Sequence, residues 1–168
     1  MAWAATTWQG GAMDDVVIRA SRPEDMAAVA DLRWRWSVDE DGREPVRTPD
    51  EYRRAMTDFA SRHRDSHRCV VAERDGVVLG MGWLAVHPRP PAPHVPGDRS
   101  TAELQTVYVH PDLRGSGVAG RLVTALLDVA DELGVERTSV HSSVDGERLY
   151  RRLGFGDARL LLQRPPED

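Results

Sequence analysis

The chain has 168 residues, 40% hydrophobic and 29% charged, enough for one folded domain with a real core and too few for a second of ordinary size. Its formal net charge of −5 argues against broad binding to nucleic acid, which needs clustered cations against the phosphates, and points to a neutral or cationic small partner. No apolar stretch is long enough to span a bilayer, and the single cysteine, Cys69, has no partner for an internal disulfide; a cytoplasmic protein with no membrane partner is expected.

Residues 1–14 read as a flexible N-terminal tail, with Trp3 and Trp8 available to dock it; residues 15–164 form the domain and 165–168 a second short tail. Val16 to Ile18 is a β-branched run, and Ser21-Arg22-Pro23-Glu24-Asp25 then starts a helix that extends to about Trp36 and ends at Asp41-Gly42. Thr48-Pro49-Asp50-Glu51 caps a second helix with Tyr52, Met56 and Phe59 on one face. Asp75-Gly76 joins the apolar runs Cys69 to Ala72 and Val77 to Val86 as a β-hairpin. Five prolines between Pro88 and Ser100 predict a loop, and Thr101 to Val109 returns to a strand. Leu122, Val123, Leu126, Leu127, Val129, Ala130 and Leu133 have helical spacing, with Gly134 as the stop. A strand over Arg137 to His141, a short helix from Asp145 to Leu153 and a strand near Leu160 to Gln163 complete the order.

Between the strand ending at Val109 and the long helix lies Arg114-Gly115-Ser116-Gly117-Val118-Ala119-Gly120. A glycine-rich turn entering a helix offers backbone N–H groups and the positive end of the helix dipole to an anion, although a tight turn needs glycine too. Gly115-x-Gly117-x-x-Gly120 also fits a dinucleotide-binding fingerprint. That reading wants the glycines directly after the strand and more βα units to follow, whereas five residues separate Val109 from Gly115 and 48 remain after Gly120. A Walker loop is excluded because no Lys-Ser/Thr follows the glycines.

Arg114-Gly115-Ser116-Gly117-Val118-Ala119 resembles the Gln/Arg-x-x-Gly-x-Gly/Ala signature of the GNAT superfamily of acyl-CoA-dependent N-acyltransferases. Leu104 to Pro111 looks like that family's fourth strand, and Arg148-Leu149-Tyr150-Arg151-Arg152-Leu153-Gly154-Phe155 like its late Leu-Tyr-x-x-x-Gly-Phe motif. The resemblance implies an α/β fold with a mixed, mostly antiparallel sheet flanked by helices and splayed between the family's fourth and fifth strands. It also implies acetyl-CoA (coenzyme A) as donor. The backbone of Val107 and Val109 would meet the thioester and pantetheine, and Arg114, Gly115, Gly117, Val118, Ala119 and Gly120 would cradle the pyrophosphate.

The same resemblance makes Tyr150 the general acid for the departing thiolate and Glu103, 11 positions before Arg114, the base that deprotonates the amine. Strand alternation puts Glu103, Gln105, Val107 and Val109 on one face unless a bulge intervenes. Where many members carry Asn seven residues before the tyrosine, this chain has Ser143, a candidate contact to pantetheine. No metal cluster and no activated nucleophile is visible, so direct attack by a primary amine is expected, with a small-molecule acceptor, a protein amine as an alternative, and a homodimer as the default assembly. Trp34, Trp36, Asp39, Glu40, Asp41 and Glu44 are available to line an aromatic and acidic acceptor pocket or to form a solvated loop. The rival readings are a non-catalytic acyl-CoA-binding module and a dinucleotide-binding enzyme.

Overall fold

The computed structural model describes residues 7–8 and 15–158. The strands are β1 (Thr7–Trp8), β2 (Val16–Ala20), β3 (His67–Arg74), β4 (Val77–Arg89), β5 (Arg99–Val109) and β6 (Thr138–Val140). The α-helices are α1 (Met26–Trp34), α2 (Pro49–Arg62), α3 (Val118–Glu132) and α4 (Val144–Arg152). The sheet runs β1-β2-β3-β4-β5-β6; every pair is antiparallel except β5 with β6. Thr7–Trp8, inside the expected tail, pairs with Arg19 and Ile18 of β2. The strand expected near Leu160 to Gln163 lies outside the described residues.

The alternation of β3 shows why helices cover both faces. Val70 and Ala72 point into a cluster with Leu84, Leu104 and the buried stripe Val118, Leu122, Val123, Leu126 and Val129 of α3. Cys69 and Val71 point the other way, to Met81, Trp83 and Tyr108 beneath Met26, Val29 and Leu32 of α1, with Met56 and Phe59 of α2 at the margin. A strand buried on both sides reads as a continuous apolar run, as Cys69 to Ala72 does.

Two boundaries differ from the sequence expectation. β4 continues to Arg89 through Pro88, past the last residue paired to β3, Ala85, so the missing proline N–H falls outside the β3 ladder. The first helix begins as a 3-10 turn at Pro23–Asp25 and, after Trp34, widens into a π-helical turn over Arg35–Glu40. Such turns re-aim side chains within a helix.

Two polar devices hold the first half of the chain together. The Asp25 carboxylate accepts two hydrogen bonds from Arg19, at 2.6 and 2.9 Å, and one from the Arg22 N–H at 2.6 Å, and both charged residues are buried. Arg19 Nε also donates to Glu73 at 2.7 Å, which ties β2 to β3 and to the start of α1. At α2, Thr48 and Glu51 form a reciprocal cap: the Glu51 N–H donates to Thr48 Oγ1 and the Thr48 N–H to the Glu51 carboxylate at 2.8 Å. Thr48→Ala is expected to cost about 1 kcal/mol and to lower Tm by about 2–4 °C in a chain of this size, measured by thermal denaturation. Among the described residues no helix is long and apolar enough to cross a membrane.

Candidate active site

β5 is irregular where it matters. Its register against β4 shifts between Met81 and Trp83, which oppose Tyr108 and Gln105, so β5 carries one extra residue there. Thr106 within this bulge has φ 51, a left-handed conformation that is strained for a β-branched side chain. The bulge changes the face of everything after it. Val107 and Val109 join Ala102 and Leu104 on the α3 side, whereas Glu103 and Gln105 lie on the α1–α2 side with Tyr108. Simple alternation, which puts Glu103, Gln105, Val107 and Val109 on one face, therefore fails at Thr106.

The outer edge of β5 is open over the same stretch. β6 pairs with it only at Ala102, Glu103 and Leu104, and the chain leaves the strand after Val140. From Gln105 to Val109 no strand among the described residues lies on that side, which is the splay between the family's fourth and fifth strands, here β5 and β6.

The glycine loop starts just beyond. Gly115 and Gly117 have φ of 79 and 83, where a side chain is strained, and Gly117 is the N-cap of α3. The N–H groups of Arg114, Ser116 and Arg121 donate to carbonyls within the turn. Those of Gly115, Gly117, Val118, Ala119 and Gly120 meet no acceptor among the described residues. Five such amides at the positive end of a 15-residue helix have the chemistry to hold an anion. Arg114, expected in the pyrophosphate cradle, has its N–H bonded to the Pro111 carbonyl and its guanidinium committed to Glu40, because the π-turn delivers a carboxylate to it: Nη2 donates to both Glu40 oxygens at 2.9 and 2.7 Å. Its Nε donates to the Val109 carbonyl at 3.2 Å, so that carbonyl already has a partner.

Glu40 also accepts from the Tyr108 hydroxyl at 2.6 Å, and Trp36 stacks on the Tyr108 ring at 6.2 Å between centroids. The Tyr108 hydrogen bond, and after it Arg114, hold the Glu40 carboxyl below its ordinary range, while burial and the Glu40 charge push Tyr108 up to about 12. This group locks the α1–α2 connection onto the loop and β5. Nothing in the sequence pattern singled out Tyr108, since a strand tyrosine carries no periodic signal.

Tyr150 is half-buried on α4, its ring edge-on to Phe155 at 5.6 Å, and its hydroxyl has no hydrogen-bond partner among the described residues. Burial raises its pKa and keeps the phenol protonated. It lines a cavity of about 240 Å³ with Val140, Ser142 and Ser143, at the end of β6 where the sheet opens. Ser143 is the N-cap of α4; its Oγ accepts from the Gly146 N–H at 3.2 Å. Glu103 accepts from Gln105 Nε2 at 3.3 Å and faces His87 Nε2 at 4.0 Å; it is not among the residues that line the Tyr150 cavity.

The carboxylates of the α1–α2 connection form a charged loop rather than an acidic pocket. Glu40 is taken by Arg114 and Tyr108, Asp41 faces Arg43 at 3.8 Å, and Asp39 and Glu44 are exposed. A cavity of about 300 Å³ does lie between α1, α2 and the sheet, reaching Gln105 and Thr106, but its charged lining is Arg33 and Arg47. Sequence reasoning passed over both arginines, because only the packing of α2 against the sheet brings them to one space. Cys69 is buried and pushed up to about 12 by that burial, an inert thiol.

The model of the acetyltransferase (GNAT) family matches residues 26–155. A mycothiol acetyltransferase from Cellulomonas flavigena is 32% identical over 127 residues, 70% of this chain; the match spans 36% of that relative, so the chain corresponds to about a third of its length. Among solved structures, a predicted acetyltransferase with acetyl-CoA from Clostridium acetobutylicum superposes with a TM-score of 0.71 at 21% identity, covering 89% of this chain and 96% of its own. Glucosamine-6-phosphate N-acetyltransferase from Arabidopsis thaliana does so with a TM-score of 0.67 at 17% identity, covering 90% and 99%. At such identities these structures speak for the fold alone. The bulged strand, the open edge beside it, the glycine loop and Tyr150 all fall within the matched residues, and the chain belongs to the GNAT acetyltransferase family.

Proposed function

We propose that this protein transfers an acetyl group from acetyl-CoA to a primary amine of a small molecule by direct attack, without an acyl-enzyme. The observation that carries the reading is the set of amides of Gly115, Gly117, Val118, Ala119 and Gly120 that meet no acceptor among the described residues, directly beyond an edge of β5 beside which no described strand lies. The residues present fit the donor. The amides match a pyrophosphate, the unpaired edge of β5 about Val107 matches an extended amide-bearing arm, and Ser143, its Oγ lone pair used in capping, still has a hydroxyl proton to donate. Acetyl-CoA supplies the activated thioester. The chain positions it, and Thr106 and Gln105 mark the side from which the amine approaches.

In this reading Glu103 takes the proton from the incoming ammonium through water, the amine forms the new C–N bond as the C–S bond breaks, and the Tyr150 phenol protonates the departing thiolate. The curated relative's name concerns an acetyl transfer, which supports the reaction class.

Isothermal calorimetry of acetyl-CoA, coenzyme A and NAD(P), followed by amine-dependent thiol release, tests the reading. Micromolar binding of the CoA species alone with release of free thiol is expected. Binding without turnover on any amine would favour a sensing module, and binding of NAD(P) alone would overturn the assignment. Gly117→Ala should weaken acetyl-CoA more than about tenfold, since a Cβ strains the left-handed N-cap by about 1–2 kcal/mol and shifts the amides; unchanged calorimetric affinity would remove the loop from the site.

A further inference from the structure

The charge of the cavity beside the bulge deepens the acetyl-transfer reading, on which this inference rests. Its volume, about 300 Å³, is that of a small site. Met56, Phe59, Met81 and Trp83 make its body apolar, and Gln105 and Thr106 bring it to the bulge in β5. Its charged lining residues, Arg33 and Arg47, form no ion pair with a carboxylate among the described residues. Other arginines lack a carboxylate partner among the described residues too, but these two line one apolar cavity, and no acidic residue lines it with them.

The two cations also share a target. Arg33 is held with its guanidinium carbon 4.4 Å from the centroid of Trp36, which fixes the fork without neutralising it. The Tyr52 phenol, raised by burial, is pulled the other way by both Arg33 and Arg47, so the two positive fields overlap on one wall of the cavity.

The geometry points to an acceptor that is a primary amine carrying a carboxylate on an apolar body, with the carboxylate held between Arg33 and Arg47 and the amine turned toward Thr106. A guanidinium fork matches a carboxylate in shape and charge. Two cations in a cavity that no carboxylate lines repel polyamines, and the apolar walls offer few partners for the hydroxyls of a sugar amine.

The test is a matched panel assayed by thiol release with the full chain: L-phenylalanine and L-methionine, their amides, phenethylamine, spermidine and glucosamine 6-phosphate. The carboxylated amines should react with a kcat/KM at least ~10-fold above their amides. Arg47→Gln, at an exposed position outside any helix, should raise KM for phenylalanine roughly 10-fold with kcat within about twofold, and Arg33→Gln should act in the same direction. Calorimetry with acetyl-CoA runs in parallel. Loss of CoA binding in the parent protein would sink the acetyl-transfer reading itself. Intact CoA binding with no turnover of any carboxylated amine, with amides as good as acids, or with the polyamine or the sugar phosphate preferred, would overturn this inference alone.

Discussion

Tyr150→Phe should lower kcat by about 10²–10³-fold and leave the Kd for acetyl-CoA within a factor of about two. The phenol is protonated at neutral pH because burial opposes its ionisation, and its hydroxyl is not consumed by any hydrogen bond among the described residues. The side chain otherwise contributes an aromatic edge against Phe155 and contact with the α3 cluster, and phenylalanine keeps both. The substitution therefore isolates the hydroxyl. Steady-state kinetics with calorimetry of the same preparation decide the matter; a variant with unchanged kcat would take Tyr150 out of the chemistry.

The largest stability effect is expected at Asp25. Asp25→Asn leaves Arg19 buried with Glu73 as its remaining carboxylate, and removing one partner from such a pair costs about 3–5 kcal/mol. At about 2–4 °C per kcal/mol for a chain of this size, Tm should fall by roughly 6–20 °C at neutral pH. Burial alone would raise the Asp25 pKa, but the Arg19 hydrogen bonds and the Arg22 amide outweigh it and hold the group below its ordinary 3.8. A depressed carboxyl adds stability that is full above 3.8 and is lost as pH falls through the lower folded value. The difference in Tm between parent and variant should accordingly shrink as pH is taken down from 4. A constant difference across that range would place the stabilisation in shape rather than charge.

Structure that local chemistry decides was legible in the sequence. The α3 stripe, the Thr48 cap, the Asp75-Gly76 turn and the left-handed Gly134 stop are local: each depends on neighbours within a few positions. Structure that depends on two segments far apart in sequence meeting in space was not legible. The face occupied by Val107 and Val109 depends on the residue β5 inserts against β4, and the partner of Arg114 is 74 positions away. Whether the acidic residues after α1 line a pocket or form a charged loop was open in the sequence, because the arginine that meets Glu40, Arg114, is brought there only by folding.

The sequence alone determined the α/β character of the chain and the glycine-rich turn at a helix N-terminus, because spacing and backbone conformation are written in neighbouring residues. The tertiary structure alone decided that Glu40 binds Arg114 and Tyr108, that a bulge separates Glu103 from Val107 across the sheet, and that Arg33 and Arg47 face one cavity. Those outcomes rest on which charges approach within a few ångströms across the packed layers, and Coulomb energy at such distances depends on position in space rather than on order along the chain.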